Sequence, residues 1–304
     1  MTQQKQITSR AWGELLLLSL IWGGSFFSIA IALREIGFFT TVAHRVFWAA
    51  LLLWLVVWIK RQPIPRDAGI WGAFLVMGML NNVLPFSLMA WGQLHIESGL
   101  TAILNAATAI FGALFAALFF ADEKLTPRKL AGIGAGFAGV ILIIGWQALM
   151  AFNLQSLGQL AVIAGTVSYA CAAVWGRKTL SGLPPIVAAA GMLTGSSLIM
   201  IPLAIAVEGM PRFALAPQTF AAIGYFAIVA TAFAYLLYYR VLAMAGSANL
   251  MLVTLLIPPT AIVLGALFLD EVLSPTTYAG FGLIALGLII LDGRIFRRTK
   301  TISV

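Results

Sequence analysis

Almost every residue of this chain that could do chemistry interrupts a run of apolar ones. The adjacent pair His44 and Arg45 lies about two turns inside such a run. An ionisable side chain in hydrocarbon costs roughly 2.5–3.5 kcal/mol on insertion scales, so it marks function by default. Arg45 has two readings: it attracts a ligand carboxylate, or it reaches an interface and caps a neighbouring helix end. His44 reads as a satisfied polar group rather than a proton relay. Glu14, near the start of the first run, is expected at a solvated mouth. No Asp or Glu stands at the middle of any run, so no coupling carboxylate of the proton-driven kind is visible.

Amides and amphipathic aromatics are more informative than the charges. Asn81 and Asn82 are followed by Phe86, one turn on from Asn82. At a shift of 149, Thr231 stands opposite Asn82 and Tyr235 opposite Phe86. Trp22, Asn105, Ser168 and Tyr169 complete a polar and aromatic set at similar depth. Such a set suits a zwitterion with an apolar tail, the amides bonding its head while rings enclose the rest. The alternative is that each amide or hydroxyl bonds a neighbouring helix. Pro85, Pro258 and Pro259 fall near the middle of their runs, where each removes a backbone donor and strains the preceding turn. The freed carbonyls are expected to face a cavity. The Pro258-Pro259 pair is expected to interrupt its helix, as a gating bend or as a static kink.

Other motifs carry no chemistry. Gly134-Ala135-Gly136-Phe137-Ala138-Gly139 matches the dinucleotide pattern, but that pattern needs a preceding strand, and here it lies inside an apolar run. Its glycines are expected to serve close helix packing. The sequence holds no Walker loop, H-E-x-x-H or G-x-S-x-G. The single Cys171 supports neither a disulfide framework nor a thiolate metal cluster. No cofactor and no metal are implied.

The elements that must position these residues are membrane helices. The 304 residues are 62% hydrophobic and 9% charged, against ~25% charged in a soluble domain. Apolar runs lie near 12–33, 38–59, 68–91, 98–120, 130–147, 157–176, 184–207, 217–239, 247–269 and 276–292, separated by short polar breaks. A spanning helix takes ~20 apolar residues, so ten spans leave no stretch for an attached catalytic or nucleotide-binding domain. The first run exceeds the usual 7–15 residue signal core, so it is expected to stay as a helix. Of the 18 Lys and Arg, 15 fall on the side of the two termini, and only Arg34 and Arg212 on the other. The positive-inside rule then puts both termini in the cytoplasm. The net charge of +8 is scattered over the ends of the runs and forms no nucleic-acid patch.

The chain also repeats itself. Asp122, Glu123, Pro127, Gly132, Gly134 and Gly139 meet Asp270, Glu271, Pro275, Gly280, Gly282 and Gly287 at a shift of 148. The expected division is 1–150 and 151–304, five helices each. An odd number of spans per half forces opposite orientations, hence an inverted-topology repeat. Such repeats place a small-molecule site near the bilayer midplane and open it alternately to either side.

Trp22-Gly23, Arg45, Pro258, Glu271 with Pro275 and Glu123 with Pro127 resemble the drug/metabolite transporter superfamily in its two-repeat EamA form. The first half departs from that pattern by lacking the mid-span Pro, with Ala109-Ile110 there, and the second by lacking the Arg. The resemblance implies an all-α fold of ten transmembrane helices, in the bacterial inner membrane. Size and aromatic content are most similar to a family member that exports aromatic and other neutral amino acids, which implies that cargo. Relatives also carry nucleobases, polyamines and quaternary amines, so another metabolite or drug-like cation is the alternative. The implied partners are a small-molecule substrate and the lipid bilayer, with no nucleic acid and no ATPase subunit. An intramembrane enzyme would need clustered His, Asp or Glu, and a channel a filter segment or charged ring; the sequence offers neither.

Overall fold

A computed structural model describes residues 8–121, 126–144, 154–212, 214–245, 250 and 253–292. Among them every regular element is a helix. In chain order these are α1 (Ser9–Ala32), α2 (Phe38–Ile59), α3 (Ala68–Gly92), α4 (Ser98–Phe119), α5 (Pro127–Ile144), α6 (Leu154–Thr179), α7 (Pro185–Glu208), α8 (Pro217–Ala245), α9 (Val253–Phe268) and α10 (Pro275–Asp292). Seven of these, α1 to α4 and α6 to α8, are long and apolar enough to cross a membrane. Leu256–Phe268 and Pro275–Leu291 form shorter apolar stretches. Asp122, Glu123 and Gly145 lie outside the described residues.

The helix starts follow local chemistry. Thr8 caps α1 by accepting the Ala11 N–H at 3.2 Å, and Asp67 caps α3 through Ile70 N–H at 3.0 Å. Proline opens α5, α7, α8 and α10, at a position where its missing N–H would have had no partner. Two helices widen in mid-course: α3 has a π segment at Met79–Val83, and α8 one at Tyr225–Phe233. These are corresponding positions of the two halves at the 149 shift.

The prolines do not break the helices. Pro258 and Pro259 lie inside a continuous α9, which corrects the expected interruption. A proline's fixed φ is itself helical, so the chain can run on through the pair although two backbone donors are lost. The break falls instead in α4, which has no proline. There Ala106 and Ala107 form a turn between Ser98–Asn105 and Thr108–Phe119. The ladder tightens to i→i−3 bonds, Ala107 N–H to Leu104 O at 3.0 Å and Ile110 N–H to Ala107 O at 2.9 Å.

Packing repeats when the first five helices are exchanged for the last five. α1 packs on α9 as α6 packs on α4; α2 packs on α8 as α7 packs on α3. α2 with α7, and α5 with α10, pair across the halves. Buried apolar clusters sit where these pairs meet, around Leu53, Phe74, Leu193 and Met200 in one and Ile103, Ile110 and Ile284 in another. Leu16, Leu20, Leu55, Trp58, Leu198 and Leu267 point outward and exposed, as a lipid-facing surface requires.

The α5–α10 contact rests on backbone proximity. A Cβ on Gly139 would stand 2.6 Å from the Gly280 carbonyl oxygen, and one on Gly287 2.6 Å from that of Gly132. Gly134 and Gly282 face open space, so the packing role belongs to their neighbours. Overpacking costs about 1–3 kcal/mol. Gly139→Ala and Gly287→Ala are therefore expected to lower the thermal unfolding midpoint in detergent, followed by circular dichroism, while Gly134→Ala and Gly282→Ala leave it undiminished.

Candidate functional site

Lone backbone groups at helix ends must find partners, and here remote carboxylates supply them. Glu208, at the end of α7, accepts the N–H groups of Phe39 and Thr40 at the start of α2, at 2.9 and 2.8 Å. Glu271 accepts from Ser98 N–H at 2.7 Å, Ser98 Oγ at 2.9 Å and Gly99 N–H at 3.0 Å at the start of α4. Glu35 takes the Ala216 N–H and the Thr219 hydroxyl at the start of α8. Two caps need a glycine beside them: a Cβ on Gly37 would strike the Glu208 carboxylate at 2.1 Å, and one on Gly265 that of Glu271 at 2.2 Å. The repeated Asp-Glu turn is thus, at Glu271, a cap on a helix of the other half.

Mid-helix, the π segments free carbonyls that side chains of the opposite half take up. Ser168 of α6 donates its hydroxyl to Leu80 O at 2.7 Å, and the Trp22 indole N–H of α1 donates to Ala230 O at 3.2 Å. Pro85 follows the first π segment and has no N–H of its own to offer. The Leu80 carbonyl is therefore occupied rather than facing a cavity, which corrects that expectation. Gly23, next to Trp22, lets α1 approach α9 so closely that a Cβ would lie 2.9 Å from Ile257 O.

Between these two joints stands Arg45. Its Nε donates to Thr231 Oγ1 at 3.0 Å, and the guanidinium carbon lies 3.9 Å from the centre of the Phe86 ring. Thr231 is buried and itself donates to Phe226 O at 2.7 Å, so it is a fixed anchor. Tyr169 meets Phe86 edge-on at 6.4 Å. The Tyr169 and Tyr235 phenols lie within electrostatic reach of Arg45. Asn81 Nδ2 donates to the Tyr235 hydroxyl at 3.3 Å. Arg45, Phe86, Tyr169 and Tyr235 are each half-buried. No carboxylate lies within ion-pair distance of Arg45 among the described residues.

The structure therefore brings together Arg45, Asn81, Phe86, Tyr169, Thr231 and Tyr235. Asn82 stands behind this set and is fully buried: its Oδ1 accepts from Asn81 Nδ2 at 3.3 Å, its amide donates to Ser196 Oγ at 2.8 Å, and Ser196 in turn donates to Met192 O. That is the interhelical alternative, joining α3 to α7. Ser168 is likewise engaged with α3. Asn105 is half-buried at the α4 turn, where its Oδ1 accepts from Thr108 Oγ1 at 3.4 Å. His44 accepts from the Trp48 indole at 3.1 Å, away from the Arg45 cluster. Glu14 is not a solvated carboxylate: its side chain is 13% exposed and ion-paired with Arg240 and Arg10.

Two residues escaped the sequence reading. Tyr238 and Tyr239 extend the ring chain from Tyr235 to Trp22, with centroid separations of 6.3, 5.3 and 5.9 Å. The i, i+3, i+4 spacing of Tyr235, Tyr238 and Tyr239 carried that signal.

An interhelical hydrogen bond within a membrane protein is worth about 1 kcal/mol. Asn82→Ala and Ser196→Ala are each expected to lower the detergent unfolding midpoint, and the double variant by less than the two losses added. Strict additivity in that cycle would mean the pair does not interact.

Comparison with known proteins identifies the family. The EamA-like transporter family matches residues 11–145 and again 156–291. An uncharacterized transporter of Archaeoglobus fulgidus is 27% identical over 280 residues, 92% of this chain and 94% of that protein. A probable terminal-alkyne amino-acid exporter of Streptantibioticus cattleyicolor is 26% identical over 300 residues, 97% of each chain. The uncharacterized inner membrane transporter YedA of Escherichia coli K12 is 24% identical over 282 residues, 92% of this chain and 90% of that one. A solved crystal structure shares the fold at a TM-score of 0.66 and 16% identity, covering 96% of this chain and 99% of its own. With two matches that together span nearly its whole length, the chain belongs to the EamA-like transporter family.

Proposed function

We propose that this multi-pass membrane transporter exports a small neutral amino acid by alternating access. In this reading ten helices cross the bacterial inner membrane with both termini in the cytoplasm. Residues 1–150 and 151–304 are two oppositely oriented halves. Exchange symmetry supports that reading: α1 on α9 matches α6 on α4, and Trp22 on Ala230 matches Ser168 on Leu80. The name of the Streptantibioticus relative supports an amino-acid cargo.

The observation that carries the cargo class is Arg45. A guanidinium held by one neutral hydroxyl and one ring keeps donors free for a planar anion, and a carboxylate is the anion it pairs with best. Phe86, Tyr169 and Tyr235 offer the apolar wall for the side chain, and the Tyr235 and Asn81 pair offers polar atoms for the ammonium. The same charge disfavours a cationic drug or polyamine beside Arg45. Pro258 and Pro259 serve in this reading as a static support in α9, and the proline-free turn of α4 at Ala106–Ala107 as the place where a helix bends.

The test is counterflow in proteoliposomes. Internal unlabelled phenylalanine is expected to accelerate uptake of the labelled amino acid by the wild type. Arg45→Gln is expected to reduce that exchange at least tenfold, which is about 1.4 kcal/mol of lost carboxylate binding. Arg45→Lys should retain part of it, having charge without the forked geometry. Undiminished exchange by Arg45→Gln would contradict the assignment.

A further inference from the structure

A second hollow lies at the end of α2 opposite its Glu208 cap. It is open, has a volume of about 540 Å³ and is bordered by Val57, Trp58, Ile59, Arg61, Gln62 and Ile64. Volumes of roughly 300–1,000 Å³ hold small ligands. Trp58, Ile59 and Ile64 are 75%, 63% and 51% exposed, so the apolar part of the border faces outward. Lys60, Arg61 and Arg66 are exposed as well, and among the described residues no carboxylate pairs with them. The carboxylate nearest in sequence, Asp67, is engaged in capping α3.

The loop that carries these charges is held in one shape. α2 ends in a pair of bonds, Arg61 N–H to Trp58 O and Gln62 N–H to Val57 O, both at 3.0 Å. That closure needs a left-handed residue, and Arg61 supplies it at φ 48°, where glycine would be most at ease. Pro63 and Pro65 restrict the backbone that follows, and the Trp71 indole donates to Pro65 O at 3.0 Å. Cations and apolar border are thus kept side by side before any partner arrives, which lowers the ordering cost of binding.

A fixed cationic rim beside an exposed apolar border is complementary to an amphiphile with an anionic head. A soluble anion would engage the cations and leave Trp58, Ile59 and Ile64 uncovered. A neutral lipid would cover those side chains and leave the charges unpaired. Tryptophan favours the level of the lipid headgroups, and basic segments at a membrane surface attract anionic lipid. Arginine can meet a phosphate through two parallel hydrogen bonds.

We infer that this groove binds an anionic phospholipid, its phosphate held by Arg61 with Lys60 beside it, and the start of its acyl chains lying on Trp58 and Ile64. The site is independent of the cargo assigned to Arg45, because its occupancy is read without transport.

Native mass spectrometry of the purified, delipidated full-length protein tests it, with dioleoyl phosphatidylglycerol, dioleoyl phosphatidylcholine and inorganic phosphate as probes. The wild type is expected to bind its first phosphatidylglycerol at least about tenfold more tightly than phosphatidylcholine, and inorganic phosphate not measurably. Lys60→Gln combined with Arg61→Gln should abolish that preference. Arg177→Gln combined with Lys178→Gln, an equal loss of charge at the end of α6, should retain it. Arg61→Gly, which suits the left-handed backbone, should weaken phosphatidylglycerol binding and leave the unfolding midpoint undiminished. No preference in the wild type, equal loss in the two double variants, or inorganic phosphate binding as tightly as the lipid would overturn the inference. Should the Lys60 and Arg61 double variant fail to fold, unchanged phosphatidylglycerol binding by Arg61→Gly would overturn it equally.

Discussion

A positive charge within a membrane protein needs a reason to stay there, and among the described residues Arg45 has no carboxylate to supply one. Its stabilisation comes from the Thr231 hydroxyl and the face of Phe86, both neutral. A cation over an aromatic ring gains about 0.5–2 kcal/mol, and one hydrogen bond about as much, which is of the same order as the insertion penalty. The guanidinium is thus held without being neutralised. Everything around it maintains that condition: Thr231 is fixed by Phe226 O, and Phe86 is flanked by Tyr169.

The frame around that charge is set by the need to satisfy backbone groups where water is scarce. Three carboxylates reach across the fold to cap helices that are distant in sequence, and two glycines give two of them room. Two π segments release carbonyls, which Ser168 and Trp22 then take from the opposite half. Each of these bonds joins residues of different halves, so the two halves are held together at their helix ends and middles. The α5–α10 pair adds close backbone contact, where Gly139 meets Gly280 and Gly132 meets Gly287 beside the side chains of Ile143, Ile284 and Leu291.

Much of this was legible in the sequence because lipid imposes simple rules. Apolar runs and their polar breaks placed the helices. Asn81, Phe86, Tyr169, Thr231 and Tyr235 were marked by depth and the 149-residue shift, and Arg45 by its charge within an apolar run. What stayed hidden depended on direction around a helix axis, which spacing alone does not fix inside an apolar run. Asn81 and Asn82 are neighbours, yet one meets Tyr235 and the other Ser196. Proline likewise misled, since α9 carries two and runs on while α4 has none and turns. Glu14 was hidden for another reason: its partner Arg240 is 226 residues away.

A hollow that serves a carrier must be reachable from each face of the membrane in turn. The direct measurement is modification of a single thiol, Tyr169→Cys in a Cys171→Ala background, by a membrane-impermeant reagent applied to either face of sealed vesicles. The account predicts labelling from both faces, with the proportion shifted by saturating amino acid on one side. Labelling from one face only, whatever the substrate gradient, would contradict it.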